Sequence, residues 1–135
     1  MKILAEISVG ELFDKITILN INLKKMNDPE KLKNIKTELE VLIEQSNKII
    51  LGNKEALNKN VQKLQEINEK LWDIENIKRE CEANKDFGES FIKISRDVHF
   101  KNDIRASIKK EINLLSDSKI TEETVSYTHL RAHET

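Results

Sequence analysis

The stretch ISVGELFDKITILNINLKKM, residues 7–26, decides the fold of this chain. Ser8 and Glu11 occupy the N-cap and N3 positions of a capping box, in which each side chain bonds the other's free backbone N–H group. The apolar residues that follow alternate in spacing between three and four: Val9, Leu12, Ile16, Leu19, Leu23 and Met26. That spacing predicts a helix with one apolar stripe, and extra apolar residues beside the stripe predict that this helix is the central one of a bundle.

Three more helices are predicted downstream. Asp28 is a fitting N-cap for helix 2, with Pro29 at N1, where its missing N–H costs nothing. Gly52 suits the C′ position of helix 2 and Asn53 the N-cap of helix 3.

Helix 3 is predicted to run from about residue 54 to about residue 84. A second capping box, Asp86 with Glu89, predicts the start of helix 4. A break in helix 4 is expected at residues 100–103, because Asn and Asp side chains compete for backbone hydrogen bonds.

These elements predict an all-α fold, an antiparallel bundle with a long hairpin of helices 3 and 4 and a shorter hairpin of helices 1 and 2. Three Gly, one Pro and 4% aromatic residues fit a helical chain better than a sheet. Residues 2–7 alternate loosely between polar and apolar, so we expect a minor two-stranded pairing with residues 118–123.

The final eleven residues, VSYTHLRAHET, differ from the rest of the chain. They contain its only Tyr and two of its three His. They resemble the in-frame translation of a transposase adapter used in sequencing libraries. We interpret residues 125–135 as a non-native artefact tail with no role, and residues 1–124 as a single helical domain whose native C-terminus is truncated.

The charge balance bears on partners and location. With 23 basic and 24 acidic residues the net charge is -1, which argues against binding to nucleic acid. The single cysteine, Cys81, cannot form an internal disulfide, which fits a cytoplasmic setting. The apolar runs are too short for a membrane span.

Metal, cofactor and catalytic chemistry are not indicated. Outside the tail, His99 and Cys81 are the only residues of their types, and a zinc site needs three or four such ligands. The acidic residues of helix 3 alternate with lysines, which is typical of a solvated face. We therefore expect no catalytic residue, no cofactor and no metal site.

Helix 4 carries the more informative polar residues, namely Arg96, Asn102, Asp103, Arg105 and Lys109. Arginine is scarce in this lysine-rich chain, and its planar fork suits bidentate contact with a carboxylate or a phosphate. One interpretation is an ion pair that ties helix 4 to Glu11 and Asp14 of helix 1, with Lys15 beside them. The other is a ligand-binding site made of all eight residues.

Three segments resemble a family of small, uncharacterised bacterial and phage proteins, known only as a domain of unknown function. They are ISVGELFDKITIL (7–19), INEKLWDIE (67–75) and FIKISRDVHFKNDIRASIKKEIN (91–113). The resemblance extends from about residue 3 to about residue 123. It implies an α-helical domain and a link to surface-polysaccharide synthesis, without an assigned activity. The chain departs from the family pattern at Asn20 and Asn22, where charged residues are usual.

Two functional hypotheses follow. The first is a cytoplasmic, non-catalytic helical module that binds a protein partner or forms a homodimer. The second is a small enzyme or binder of a phosphorylated or acidic metabolite, such as a nucleotide or nucleotide sugar. In the second hypothesis Arg96, Arg105 and Lys109 hold the anion, and Glu11 or Asp14 serves as base or metal ligand.

Overall fold

The computed structural model of the protein describes residues 1–49 and 52–116 and contains four α-helices. They are α1 (Val9–Lys25), α2 (Pro29–Ser46), α3 (Lys54–Ala83) and α4 (Glu89–Leu115). The all-α prediction is confirmed, with α3 and α4 forming the long hairpin and α1 and α2 the shorter one. None of the four described helices combines the length and apolar composition needed to cross a lipid bilayer.

Three of the predicted helix starts are confirmed by side-chain caps. Ser8 Oγ accepts the backbone N–H of Glu11 at 3.1 Å, Asp28 Oδ1 accepts that of Glu30 at 3.1 Å, and Asn53 Oδ1 accepts that of Ala56 at 3.1 Å. Only half of the first capping box forms, because the Glu11 carboxylate bonds a lysine of α4 instead of turning back to Ser8.

Two predictions at helix ends are wrong. The N-cap of α4 is Gly88, without a side-chain cap, and Asp86 accepts the N–H of Gly88 at 3.3 Å in the preceding turn. The predicted capping box cannot form at Asp86 because the Asp86 N–H, which Glu89 would have to bond, already donates to the Cys81 carbonyl at 2.8 Å and closes the end of α3. Gly52 is not a C′ residue, since α2 ends earlier, at Ser46, with Asn47 as its C-cap.

Two further expectations fail or fall outside the described chain. Helix α4 continues without a break through residues 100–103 and packs on both α3 and α1. Residues 2–7 form no strand, and their proposed partner at 118–123 lies outside the described residues. The tail at 125–135, and with it the proposed domain end at 124, lies there too.

The end of α3 adopts a Schellman motif. Lys85 has φ 55°, its N–H bonds the Glu82 carbonyl at 3.1 Å, and the Asp86 N–H bonds the Cys81 carbonyl. A lysine thus occupies the left-handed position that glycine usually takes. The motif reverses the chain tightly enough for α4 to return along α3.

Two apolar clusters form the core, and α1 lies between them. The cluster of α3 and α4 contains Leu57, Leu64, Ile67, Leu71, Val98 and Ile112. The cluster of α1 and α2 contains Leu12, Ile16, Leu19, Ile35 and Leu39. Phe13 packs against both. Since α1 contacts the other three helices, the prediction that it is central is confirmed.

Candidate functional site

A buried carboxylate in the middle of α1 joins two helices. Asp14 is 1% exposed. Arg105 of α4 donates to it twice, from Nε to Oδ1 at 2.8 Å and from Nη2 to Oδ2. A charge this deeply buried requires a paired, hydrogen-bonded partner, and the planar guanidinium fork supplies one. The predicted ion pair between helix 4 and helix 1 is therefore confirmed at these two residues.

A third helix contributes an amide to the same carboxylate. Asn68 of α3 donates from Nδ2 to Asp14 Oδ1 at 3.1 Å and to Thr17 Oγ1 at 2.9 Å. The Thr17 hydroxyl in turn donates to the Asp14 carbonyl at 2.8 Å. Both N–H groups of the Asn68 amide are thus engaged, which fixes the orientation of a side chain that is 95% buried.

A second ion pair lies one turn away. Lys109 Nζ donates to Glu11 Oε2 at 2.7 Å and lies 3.9 Å from Asp14 Oδ2. Lys15 Nζ is 3.7 Å from Glu11 Oε1 on the same helix. The structure thus brings together five of the eight predicted site residues: Glu11, Asp14, Lys15, Arg105 and Lys109.

The start of α1 approaches the backbone of α4 very closely. The Gly10 N–H donates to Asn113 Oδ1 at 2.7 Å. A Cβ atom built on Gly10 would lie 2.5 Å from the Lys109 carbonyl oxygen. Glycine is needed here because any side chain would separate the two helices, and that separation would disturb both ion pairs.

The other three predicted residues lie apart from this cluster or at its edge. Arg96 is exposed and lines a groove on the first turns of α4. Nine residues separate it from Arg105, which is two and a half helical turns, so the two point in opposite directions. Asn102 Oδ1 accepts a long hydrogen bond from Arg105 Nη1 at 3.4 Å. Within the described residues Asp103 makes no ion pair.

A cleft of about 430 Å³ adjoins the buried cluster, between α1, α3 and α4. Arg105 and Asn68 belong to its lining as well as to the cluster. Other polar side chains lining it are Asn22, Glu75, Asn76, Arg79 and Asn102. Its volume lies within the range of small-molecule sites in proteins.

Trp72 supplies an aromatic ring to this cleft. The ring is partly exposed, and Lys25 Nζ lies 5.2 Å from its centroid in a cation–π contact. Trp72 therefore belongs to a partly exposed wall of the cleft beside two arginines.

Sequence reasoning missed Trp72 and Arg79 as members of a site. A signal was present, because Asn68, Trp72, Asn76 and Arg79 recur at intervals of four, four and three along α3. That spacing places them on one helix face, at the border of the apolar stripe. Among the residues that the structure describes, no group of three or more His, Cys, Asp or Glu could hold a metal ion.

Comparison of the chain with known proteins finds no match, whether among protein-family models, curated proteins or solved structures. The family resemblance of residues 3–123 and the adapter origin of residues 125–135 stay predictions.

Proposed function

We propose that the protein is a helical module that binds a small phosphorylated or acidic metabolite in the cleft between α1, α3 and α4. The observation that carries this proposal is the presence of two arginines, Arg79 and Arg105, in the lining of one cleft. Guanidinium groups bind phosphate and carboxylate groups through paired hydrogen bonds. The resemblance to proteins linked with surface-polysaccharide synthesis makes nucleotide sugars the first compounds to test.

Arg79 is the cation best suited to meet the ligand. Its side chain is exposed, and it has no ion pair within residues 1–49 and 52–116. Arg105 would contribute a fixed donor, because Asp14 holds its guanidinium in one orientation at the cleft wall. A fixed donor loses less conformational entropy on binding than a mobile one.

Binding is favoured over catalysis by the position of the carboxylates. Glu11 and Asp14, the bases of the enzymatic hypothesis, are engaged by Lys109 and Arg105 and do not line the cleft. The carboxylate in the cleft wall is that of Glu75. A general base must reach the proton that it removes, so Glu11 and Asp14 are poorly placed for the task.

A thermal-unfolding screen with nucleotide sugars, nucleoside phosphates and sugar phosphates tests the proposal. A ligand at a hundred times its Kd stabilises the folded state by about 2.7 kcal/mol, which raises the Tm of a domain this size by roughly 10 °C. Unchanged melting across all three sets would contradict the proposal.

A matched pair of variants locates the site. Arg79→Gln removes the exposed cation of the cleft and should weaken binding by roughly 10- to 100-fold, the worth of a charged hydrogen bond. Arg96→Gln removes the same charge from an exposed position elsewhere and should leave the affinity unchanged. Equal losses in both variants would indicate a general charge effect instead of a site.

A second candidate function is self-association through α4, and a separate observation supports it. Ile92, Ile104 and Leu114 of α4 are 56%, 50% and 77% exposed. Exposed apolar side chains along one helix are a feature of interfaces between copies. Sedimentation velocity would show a dimer that Ile104→Glu converts to a monomer, and a monomer at 100 μM wild-type protein would exclude a stable dimer.

A further inference from the structure

Besides its two arginines, the lining of the cleft contains amide groups, a carboxylate and an aromatic ring. Along α3 its lining places the Asn68 amide, the Trp72 ring, the Asn76 amide and the Arg79 guanidinium on one face, in that order. Trp72 and Arg79 are seven residues apart, so their Cα atoms are separated by about 10 Å along the helix axis. A ligand that contacts both must therefore carry a ring at one end and an anion at the other.

Building on the proposed function, we infer that the ligand is a nucleoside phosphate. Its base stacks on Trp72 and its phosphate bonds Arg79. Stacking of a nucleobase on an aromatic side chain is favourable for every base, because each base has a π face. Arginine matches the phosphate because its planar N–H groups bond two oxygens at once.

Asn68 provides an independent reason to expect a base. Its two amide hydrogens bond Asp14 and Thr17, so its amide oxygen is held in place at the cleft wall. No described residue donates to that oxygen, and it is not fully enclosed, since among the described residues only Ser95 Oγ is both enclosed and without a partner. A fixed acceptor that a ligand in the cleft can reach suits an N–H group on the edge of a nucleobase.

Glu75 is placed to accept hydroxyl groups of the sugar. It lines the cleft three residues after Trp72 and four before Arg79, between the positions assigned to the base and the phosphate. A carboxylate is the group that dinucleotide-binding proteins use for ribose hydroxyls. The four positions therefore match the base, the ribose and the phosphate in their covalent order.

The Lys25 ammonium lies over the Trp72 ring, and the stacked base would take its place. The Lys25 ammonium lies 5.2 Å from the ring centroid and belongs to an exposed residue at the end of α1. A cation–π contact at an exposed site is weaker than stacking of a nucleobase on an aromatic ring. Displacement of Lys25 is therefore compatible with tight binding.

The experiment titrates the full chain with AMP, GMP, CMP and UMP, with ribose 5-phosphate, and with inorganic phosphate. Trp72 is the only Trp, so quenching of its fluorescence reports the site directly. We expect at least one nucleotide to quench it and to bind at least 10-fold more tightly than ribose 5-phosphate in calorimetry. Trp72→Leu should abolish the tighter binding of the nucleotide. Its affinity for ribose 5-phosphate should stay within twofold of the wild-type value.

The outcomes separate the two proposals. Equal affinity for nucleotides and ribose 5-phosphate would overturn the inference and leave the proposed anion site standing. Failure of every compound, inorganic phosphate included, would overturn both. Circular dichroism shows whether Trp72→Leu folds. If it does not, the wild-type chain still tests the inference, because nucleotide binding without quenching of Trp72 fluorescence would contradict stacking.

Discussion

Asp14 and Arg105 are 91 residues apart in sequence, yet the carboxylate of one and the guanidinium of the other meet in a two-bond pair. The pair joins the middle of α1 to α4, and Asn68 adds α3 to the same carboxylate. Because the Asp14 side chain is only 2% exposed, its charge depends on these donors in place of water.

Replacement of Arg105 should destabilise the fold strongly. Arg105→Ala leaves the Asp14 carboxylate without its main partner in a buried position, so we expect a loss of about 3–5 kcal/mol. Arg96→Ala removes an exposed arginine from the same helix and should change stability by less than about 0.5 kcal/mol. Urea unfolding with unchanged m-values measures both, and similar midpoints for the two variants would show that the pair contributes little.

Gly10 should not tolerate a methyl group. A Cβ atom there lies 2.5 Å from the Lys109 carbonyl oxygen and 2.9 Å from Asn113 Oδ1, so α1 and α4 must move apart. We expect Gly10→Ala to cost about 2–3 kcal/mol, although alanine by itself favours a helix by roughly 1 kcal/mol. Gly52→Ala is the control, since its Cβ meets nothing within 4 Å. A Gly10→Ala variant as stable as wild type would refute the close contact.

Lys85 offers a stabilising substitution. Its φ of 55° is sterically unfavourable for a residue with a Cβ atom, whereas glycine adopts it without steric cost. Lys85→Gly should therefore raise the free energy of unfolding by about 0.5–1 kcal/mol. Asn84→Gly, at φ -88°, should lower it slightly, because glycine only adds freedom to the unfolded chain there. Thermal melts compare the two, and destabilisation by Lys85→Gly would contradict the left-handed backbone.

Loss of the Asn68 amide should lower the stability of the fold, because the amide donates hydrogen bonds to two buried residues. Asn68→Leu keeps the size of the side chain and removes both donors from Asp14 and Thr17. We expect a cost of about 1–3 kcal/mol, because the variant loses one hydrogen bond to the buried Asp14 charge and one to Thr17. Asn58→Leu, an exposed position on the same helix, should have little effect in the same denaturant titration. An equally stable Asn68→Leu variant would mean that water replaces the amide.

Local signals in the sequence predicted the helices well. Capping residues and three–four apolar spacing predicted α1, α3 and the start of α2 almost to the residue, because a cap and a stripe are physical features of one segment. The end of α2 was predicted several residues too late. The start of α4 was wrong because the end of α3 already uses the Asp86 N–H, which is a relation between two helices.

The site was predicted in part for the same reason. Charge chemistry identified Asp14 and Arg105 as candidate partners, and the fold confirms the pair. Arg96 was placed with them although it lies half a turn away around α4, a mistake that helical geometry would have prevented. The cleft itself depends on how three helices pack, and no single segment specifies such a space.

The attachment of α2 has a consequence for the order of unfolding. Among the described helices α2 contacts α1 alone, and it buries only Ile35 and Leu39. The cleft and the Asp14 cluster involve α1, α3 and α4, so α2 can detach without breaking either of them. Amide hydrogens of α2 should exchange with solvent through a low-energy partial opening, long before those of α3 and α4. The three-helix remainder would then keep both the cleft and the Asp14 cluster intact.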